Sequence, residues 1–340
     1  MSFFVGCATI EAITKEKGIN RMIRISHIKI AAGKAQAQAL EQEIKRVLRL
    51  KSLQGISYHI RKKSVDARKK ESIFCIYTVD VEGIADEQRL VQKCHKDTIT
   101  LLKEESYTEP IPGMQSLAHA PVVIGAGPAG LFAALLLAEQ GYRPILLERG
   151  QDVDRRTADV EHFWQTGELD TASNVQFGEG GAGTFSDGKL NSVIKDIRCR
   201  KVLETFVRFG APEEILYQAK PHIGTDHLKL VVKNMRQAIV AAGGQVRFCS
   251  QVTGIQKENG VLTGIEINGS EVLPANAAVL AIGHSARDTF AALREQQIMM
   301  EPKAFAIGLR VEHLQRMINL AQYGMEAVSY THLDVYKRQM

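Results

Sequence analysis

One stretch constrains this chain more than any other. An apolar strand, Val122–Ile124, runs directly into Gly125-Ala126-Gly127-Pro128-Ala129-Gly130 and then into an apolar helical run closed by Gly141. A second strand over 144–147 ends in Glu148, about twenty positions after the glycines. A lone Gly-x-Gly-x-x-Gly is weak, but in this context each residue type has a task. Gly125 permits the sharp turn, Gly127 lets a pyrophosphate approach the backbone, and Gly130 lets the helix pack on the sheet. The free N–H groups and positive end of the helix then face the phosphates. Glu148 suits a ribose 2′-hydroxyl and disfavours a 2′-phosphate. A glycine-rich turn beside a surface glutamate is the plainer alternative, and the strand and helix context weighs against it.

Spacing alone does not separate FAD from NAD. The segment VVIGAGPAGLFAALLLAEQGYRPILLERG resembles the flavoprotein version of the motif, with Pro128 and Ala129 inside it and Glu148-Arg149-Gly150 after the second strand. No second Gly-x-Gly-x-x-Gly occurs, so a separate NAD(P) domain is not supported. The segments NVQFGEGGAGTFSDGKLNS (174–192) and KPHIGTD (220–226) resemble a bacterial family of NAD(P)/FAD-dependent oxidoreductases, over about residues 22–324. The resemblance implies an α/β chain: a Rossmann-like FAD-binding parallel sheet with an antiparallel β-meander, preceded by a small α+β domain. It implies FAD as cofactor and leaves the substrate open.

In that light the glycine-dense loop 178–188 is the expected second FAD contact. Gly180, Gly181 and Gly183 would offer backbone N–H groups, and Ser186 and Lys189 would reach phosphate or flavin oxygens. The plainer reading is a surface loop, which so many glycines would make entropically costly. Gly283, with Ser285 beside it, follows an apolar strand over 277–282 and loosely matches the family's small-residue turn near the dinucleotide. His222 and His284 are candidate acids or bases, and Lys220 could stabilise a reduced flavin. A hydrogen-bonded loop histidine and a surface lysine are the commoner roles for such residues. Thr225 and Asp226 read as helix caps. His222 and His227 are too isolated to argue for a metal.

Composition supplies the frame. The chain has 340 residues, 45% hydrophobic and 24% charged, with a net charge of +5. Five scattered cysteines form no Cys-x-x-Cys pair, which favours a reducing compartment and a cytoplasmic location. The expected organisation is an extension of non-native character over 1–21, an α+β domain over 22–104 of βαββα type and a linker over 105–119. The FAD-binding domain then occupies 120–195 and 243–290 around a helical insertion at 196–242. A substrate domain begins at 291–327, with a strand at 304–311. The tail VSYTHLDVYKRQ (328–339) breaks the preceding style and resembles an adapter-derived translation. On that reading the natural protein continues past about Gly324, and the present chain binds FAD weakly.

The favoured reading is oxidation or reduction of a small organic substrate, with NAD(P)H as a transient electron donor and no membrane partner. Two rivals stand beside it. One is a flavin-dependent RNA-modifying enzyme, suggested by Arg61-Lys62-Lys63 and Arg68-Lys69-Lys70, although a solvated charged hairpin is the commoner outcome. The other is a non-enzymatic flavin-binding sensor.

Overall fold

The computed structural model describes residues 21–32, 36–69, 72–103, 107–114, 116–186, 188–190, 194, 196–305, 307–309 and 311–324. The expected extension, apart from Arg21, and the adapter-like tail lie outside them. The chain divides into two compact units, 1–106 and 107–340.

The first unit is built on β1 (Arg21–Ala31), α1 (Gln36–Leu48), β2 (Ser57–Asp66), β3 (Phe74–Glu82), α2 (Glu87–Cys94) and β4 (Ile99–Lys103). Its four strands pair in the order β2-β3-β1-β4. All these pairings are antiparallel, and the element order is βαββαβ, the split βαβ arrangement. The sequence predicts one strand fewer: the short β4 follows a helix capped by Asp86 and ended by a left-handed His95. The strand β1 carries a bulge between Ile25 and Ile28, with His27 at φ 60. It keeps Ile23, Ile25, Ile28 and Ile30 on one face, packed with Leu40, Ile44 and Leu48 of α1 and with Val79 and Val81 of β3.

The second unit centres on a parallel sheet of β5 (Val122–Ile124), β6 (Ile145–Leu147), β7 (Gln245–Arg247) and β11 (Ala278–Leu280), in the order β11-β5-β6-β7. Between β7 and β11 runs the antiparallel meander β8 (Val252–Glu258), β9 (Val261–Ile267) and β10 (Glu271–Pro274). Both of its turns carry Asn-Gly with positive φ at Asn259, Gly260, Asn268 and Gly269, the signature of tight hairpins. The short β7 stands just before the meander and belongs to the parallel sheet. The helices are α3 (Pro128–Glu139), α4 (Val153–Thr166), α5 (Ile197–Arg208), α6 (Thr225–Ala241), α7 (Arg287–Glu295) and α8 (Gln315–Tyr323). Because α3 is apolar on all sides, it sits inside the core between the sheet and α5 and α6, with Leu131, Ala134 and Leu135 against Phe206, Val231, Met235 and Ile239.

The strand expected over 304–311 does not form among the described residues, which are irregular there, with Phe305, Ile307 and Leu309 almost fully exposed. A period-2 apolar pattern becomes a strand only when a neighbouring strand takes its hydrogen bonds, and none pairs with it. No helix among the described residues is long and apolar enough to cross a membrane.

Candidate functional site: a glycine seat at the carboxyl edge of the parallel sheet

The sheet order fixes the location. From β5 the chain moves to β6 on one side and later returns to β11 on the other, so a crevice opens at the carboxyl ends of β5 and β11, where open α/β sheets bind ligands. Gly125 leaves β5 at φ 99, and a Cβ there would lie 2.6 Å from the Ala281 carbonyl oxygen of the segment after β11. Gly130 is equally compulsory, since a Cβ on it would collide with the Gly125 carbonyl. Gly127 differs. Its backbone is ordinary (φ −70, ψ −177), and a Cβ would meet nothing within 4 Å. Nothing in the described protein requires glycine here, and a Cβ would point into open space. The start of α3 has no side-chain cap, with Gly127 at the N-cap and Pro128 as first helical residue.

Glu148 is buried and acts as a hub. Its Oε2 accepts the Ala126 N–H at 2.7 Å, and its Oε1 accepts the N–H groups of Gly150 at 3.0 Å and Gly178 at 2.9 Å. One carboxylate thus joins the first glycine motif, the turn after β6 and the second glycine loop, and these bonds offset the cost of burying its charge. Oε2 carries one of the three amides and retains acceptor capacity. Arg149, part of the motif that resembles the flavoprotein version, is held in a side-chain clamp. Its guanidinium donates to Asp288 at 2.9 and 3.0 Å and to the Thr289 hydroxyl at 2.9 Å, with the Phe177 ring centre 4.4 Å away. The hydrogen bonds from Arg149 hold the Asp288 carboxyl below its usual range. This clamp walls a narrow cleft of about 40 Å³ that runs from Gly125 past Glu148 to Ser250 and Thr289.

The second glycine loop packs on the first. A Cβ on Gly181 would lie 3.2 Å from Gly127 Cα, and one on Gly180 would strike the Thr184 hydroxyl. The expectation that Gly180 and Gly181 present free amides is corrected: their N–H groups donate to Ala126 O at 2.8 Å and Gly178 O at 3.0 Å. They are glycines because two chain segments touch there. A Cβ on Gly183 would point into open space. Ser186 donates its hydroxyl to Gly183 O and accepts the Gly188 N–H, so it closes a turn of its own loop.

A residue that sequence reasoning missed holds this loop in shape. Arg156 of α4 has no exposure, and its guanidinium donates to the carbonyls of Asn174, Val175, Gly178 and Glu179. Burial pushes its pKa down to about 10, opposed by the charges of Glu148 and Glu179. Glu179 is also fully buried. Its Oε2 accepts the Val153 N–H at 2.8 Å, while Arg236 Nε lies 2.8 Å from Oε1 with its N–H aimed elsewhere, an ion pair without a hydrogen bond. Burial pushes the Glu179 carboxyl up, and the Val153 amide and Arg236 pull the other way.

The two segments quoted from the sequence do meet. Lys189 and His222 form an antiparallel bridge, flanked by Ile223 N–H to Gly188 O and Leu190 N–H to Pro221 O. Lys220 is half-buried beside them. Thr225 and Asp226 are not caps: Gly224 occupies the N-cap of α6 at φ 86, and the Thr225 hydroxyl donates to Ser186 O. Gly283 (φ 70) and His284 follow β11, both exposed, with His284 Nε2 3.4 Å from the Ser285 hydroxyl. No hydrogen bond joins His222 to His284 among the described residues, so the structure presents two separate candidate groups.

A strand, a glycine turn, an uncapped helix and an acidic hub at a sheet switch point define a dinucleotide-binding domain. Residues 123–178 match the model of an NAD(P)-binding Rossmann-like domain, and residues 22–82 match a domain of unknown function. An uncharacterized protein of Clostridium beijerinckii (strain ATCC 51743 / NCIMB 8052) is 46% identical over 302 residues, covering 89% of this chain and 56% of its own length. A digeranylgeranylglycerophospholipid reductase of Methanocella arvoryzae is 23% identical over 150 residues, covering 42% of this chain and 33% of its own. The chain thus spans little more than half of the first relative's length. Among solved structures, THI4 of Thermovibrio ammonificans superimposes with a TM-score of 0.35 at 19% identity, covering 52% of this chain and 62% of that one.

Proposed function

We propose that this chain seats FAD as part of an oxidoreductase acting on a small organic molecule. The observation that carries the reading is Gly127: neither its backbone angles nor its neighbours call for glycine, and a side chain there would point into open space at the start of an uncapped helix. The donor set fits the group. Amides at the start of α3 neutralise a pyrophosphate, Oε2 of Glu148 accepts from a ribose hydroxyl, and Gly183 leaves room for close approach from the second loop.

Bound flavin supplies hydride exchange at its N5. The chain's own residues provide the seat and its rigidity, which come from Glu148 and Arg156. His222, His284 and Lys220 are the groups offered for moving a proton, His222 on a braced two-segment ladder and His284 in an exposed turn. The Rossmann-like match over 123–178 and the reductase among the relatives support this reading. The test is to refold the chain with excess FAD, remove free ligand, and record the flavin spectrum before and after anaerobic NADH or NADPH. A flavin spectrum bleached by either donor supports an oxidoreductase. A bound flavin that neither donor nor a metabolite panel reduces supports a sensor, and a colourless protein removes the flavin.

A further inference from the structure

Glu179 and Arg236 lie behind the second glycine loop, and the chemistry proposed above makes no use of them. Glu179 immediately precedes Gly180 and has no exposure, while the Arg236 side chain keeps 23% of its surface in solvent. The backbone of Glu179 is fixed on both sides: its N–H donates to Gln151 O at 3.0 Å, and its carbonyl accepts from Arg156 at 2.6 Å. Its carboxylate then reaches in two directions, to the Val153 amide at the start of α4 and to Arg236 on α6.

The connections lead from there to the seat. The Gly180 N–H donates to Ala126 O at 2.8 Å, and Gly181 packs on Gly127. On α6, Val232 stands one turn before Arg236, and its methyl groups lie 3.1 and 3.3 Å from where a Gly180 Cβ would be. The same helix buries Met235 and Ile239 against α3. Thus α6 grips the second loop through Val232 and Arg236 and also packs on the helix that starts at Pro128.

As a source of stability the pair is poor. Desolvating two charges costs about what their attraction returns, and the 2.8 Å contact adds no aligned hydrogen bond. We infer that Glu179 and Arg236 are positioning residues for the seat: the charge on Glu179 holds the second glycine loop on the first, and FAD binds tightly only while that charge is present. The inference rests on the FAD reading.

The charges facing Glu179 are Arg236 from α6, Arg156 and the N-cap Asp152 from α4 and, across Arg156, Glu148 at the end of β6. Asp154 is taken up by Lys233 at 2.7 Å. Burial pushes the Glu179 carboxyl above its usual 4.5, while the Val153 amide and Arg236 oppose the rise. Affinity for FAD therefore holds above the folded value and falls as pH drops through it, by up to about tenfold per pH unit.

The test is calorimetric titration of the 340-residue chain with FAD from about pH 8 to about pH 4.5, with thermal unfolding of each unliganded protein. Glu179→Gln keeps an acceptor for the Val153 N–H and removes the charge, so at neutral pH it should bind FAD about tenfold more weakly and lose the acid-dependent fall. Arg236→Met should match it, while Arg236→Lys, which keeps the charge, should bind as wild type. Glu179→Gln with Arg236→Met should bind no more weakly than either alone and unfold no earlier than wild type, because both charges are gone. Wild-type affinity in Glu179→Gln or in the double variant, or the same pH profile in wild type and Glu179→Gln, overturns the inference and leaves the FAD reading standing. A wild type that takes up no FAD at any pH removes the FAD reading and this inference with it.

Discussion

At the scale of single residues, the site turns on glycines that are glycine for different reasons. Gly130 is fixed by the protein itself, because a Cβ there collides with the Gly125 carbonyl, so Gly130→Ala should cost about 3 kcal/mol or more in chemical denaturation. Gly127 is fixed by nothing in the protein, so Gly127→Ala should leave stability within about 0.5 kcal/mol of wild type. Arg156 makes the opposite case. Replacing it with Met leaves four buried carbonyls without their donor, and the loss should exceed about 3 kcal/mol. If Arg156→Met unfolds at the wild-type denaturant midpoint, the loop does not depend on the guanidinium. The sequence makes the glycine roles legible through their context of strand and helix. Arg156 gave no such signal, since α4 mixes charged and apolar residues as any surface helix does, and its burial comes from four distant carbonyls.

At the scale of elements, the strand–turn–helix unit and the two Asn-Gly hairpins were readable because each depends on local chemistry: glycine freedom, turn dihedrals and apolar runs. What was not readable depends on pairing between distant segments. The three-residue β7 joins β6 and not the adjacent meander, β4 completes the first sheet beside β1, and the described residues of 304–311 form no strand despite their alternation. In the same way Arg149 could be placed after β6, while its partner Asp288 lies 139 residues away. That clamp has a pH signature. Asp288 is held below its usual value near 3.8, so the stability it adds is present above that value and lost as pH falls through the folded one. The advantage of wild type over Asp288→Asn, under about 1 kcal/mol for a half-exposed pair, should shrink in urea titrations as pH falls below 3.8 and be lost once the folded carboxyl is protonated. A gap that persists undiminished in acid would assign the effect to packing.

At the scale of the molecule, the chain joins two units with separate cores and opposite charge. The first closes its core with α1, α2 and four strands, so residues 21–106 expressed alone should unfold cooperatively and show mixed α/β circular dichroism. A broad, non-cooperative transition would show that the core needs the remainder of the chain. For the second unit the account rests on a pyrophosphate meeting the start of α3 across Gly127. The most direct measurement is thermal unfolding of wild type and Gly127→Ala with and without saturating FAD. Ligand at about a hundred times its dissociation constant adds about 2.7 kcal/mol, which raises the wild-type midpoint by several degrees. The account predicts that rise in wild type and little or none in Gly127→Ala, with equal midpoints when FAD is absent. Equal protection of both proteins, or protection of neither, would contradict it.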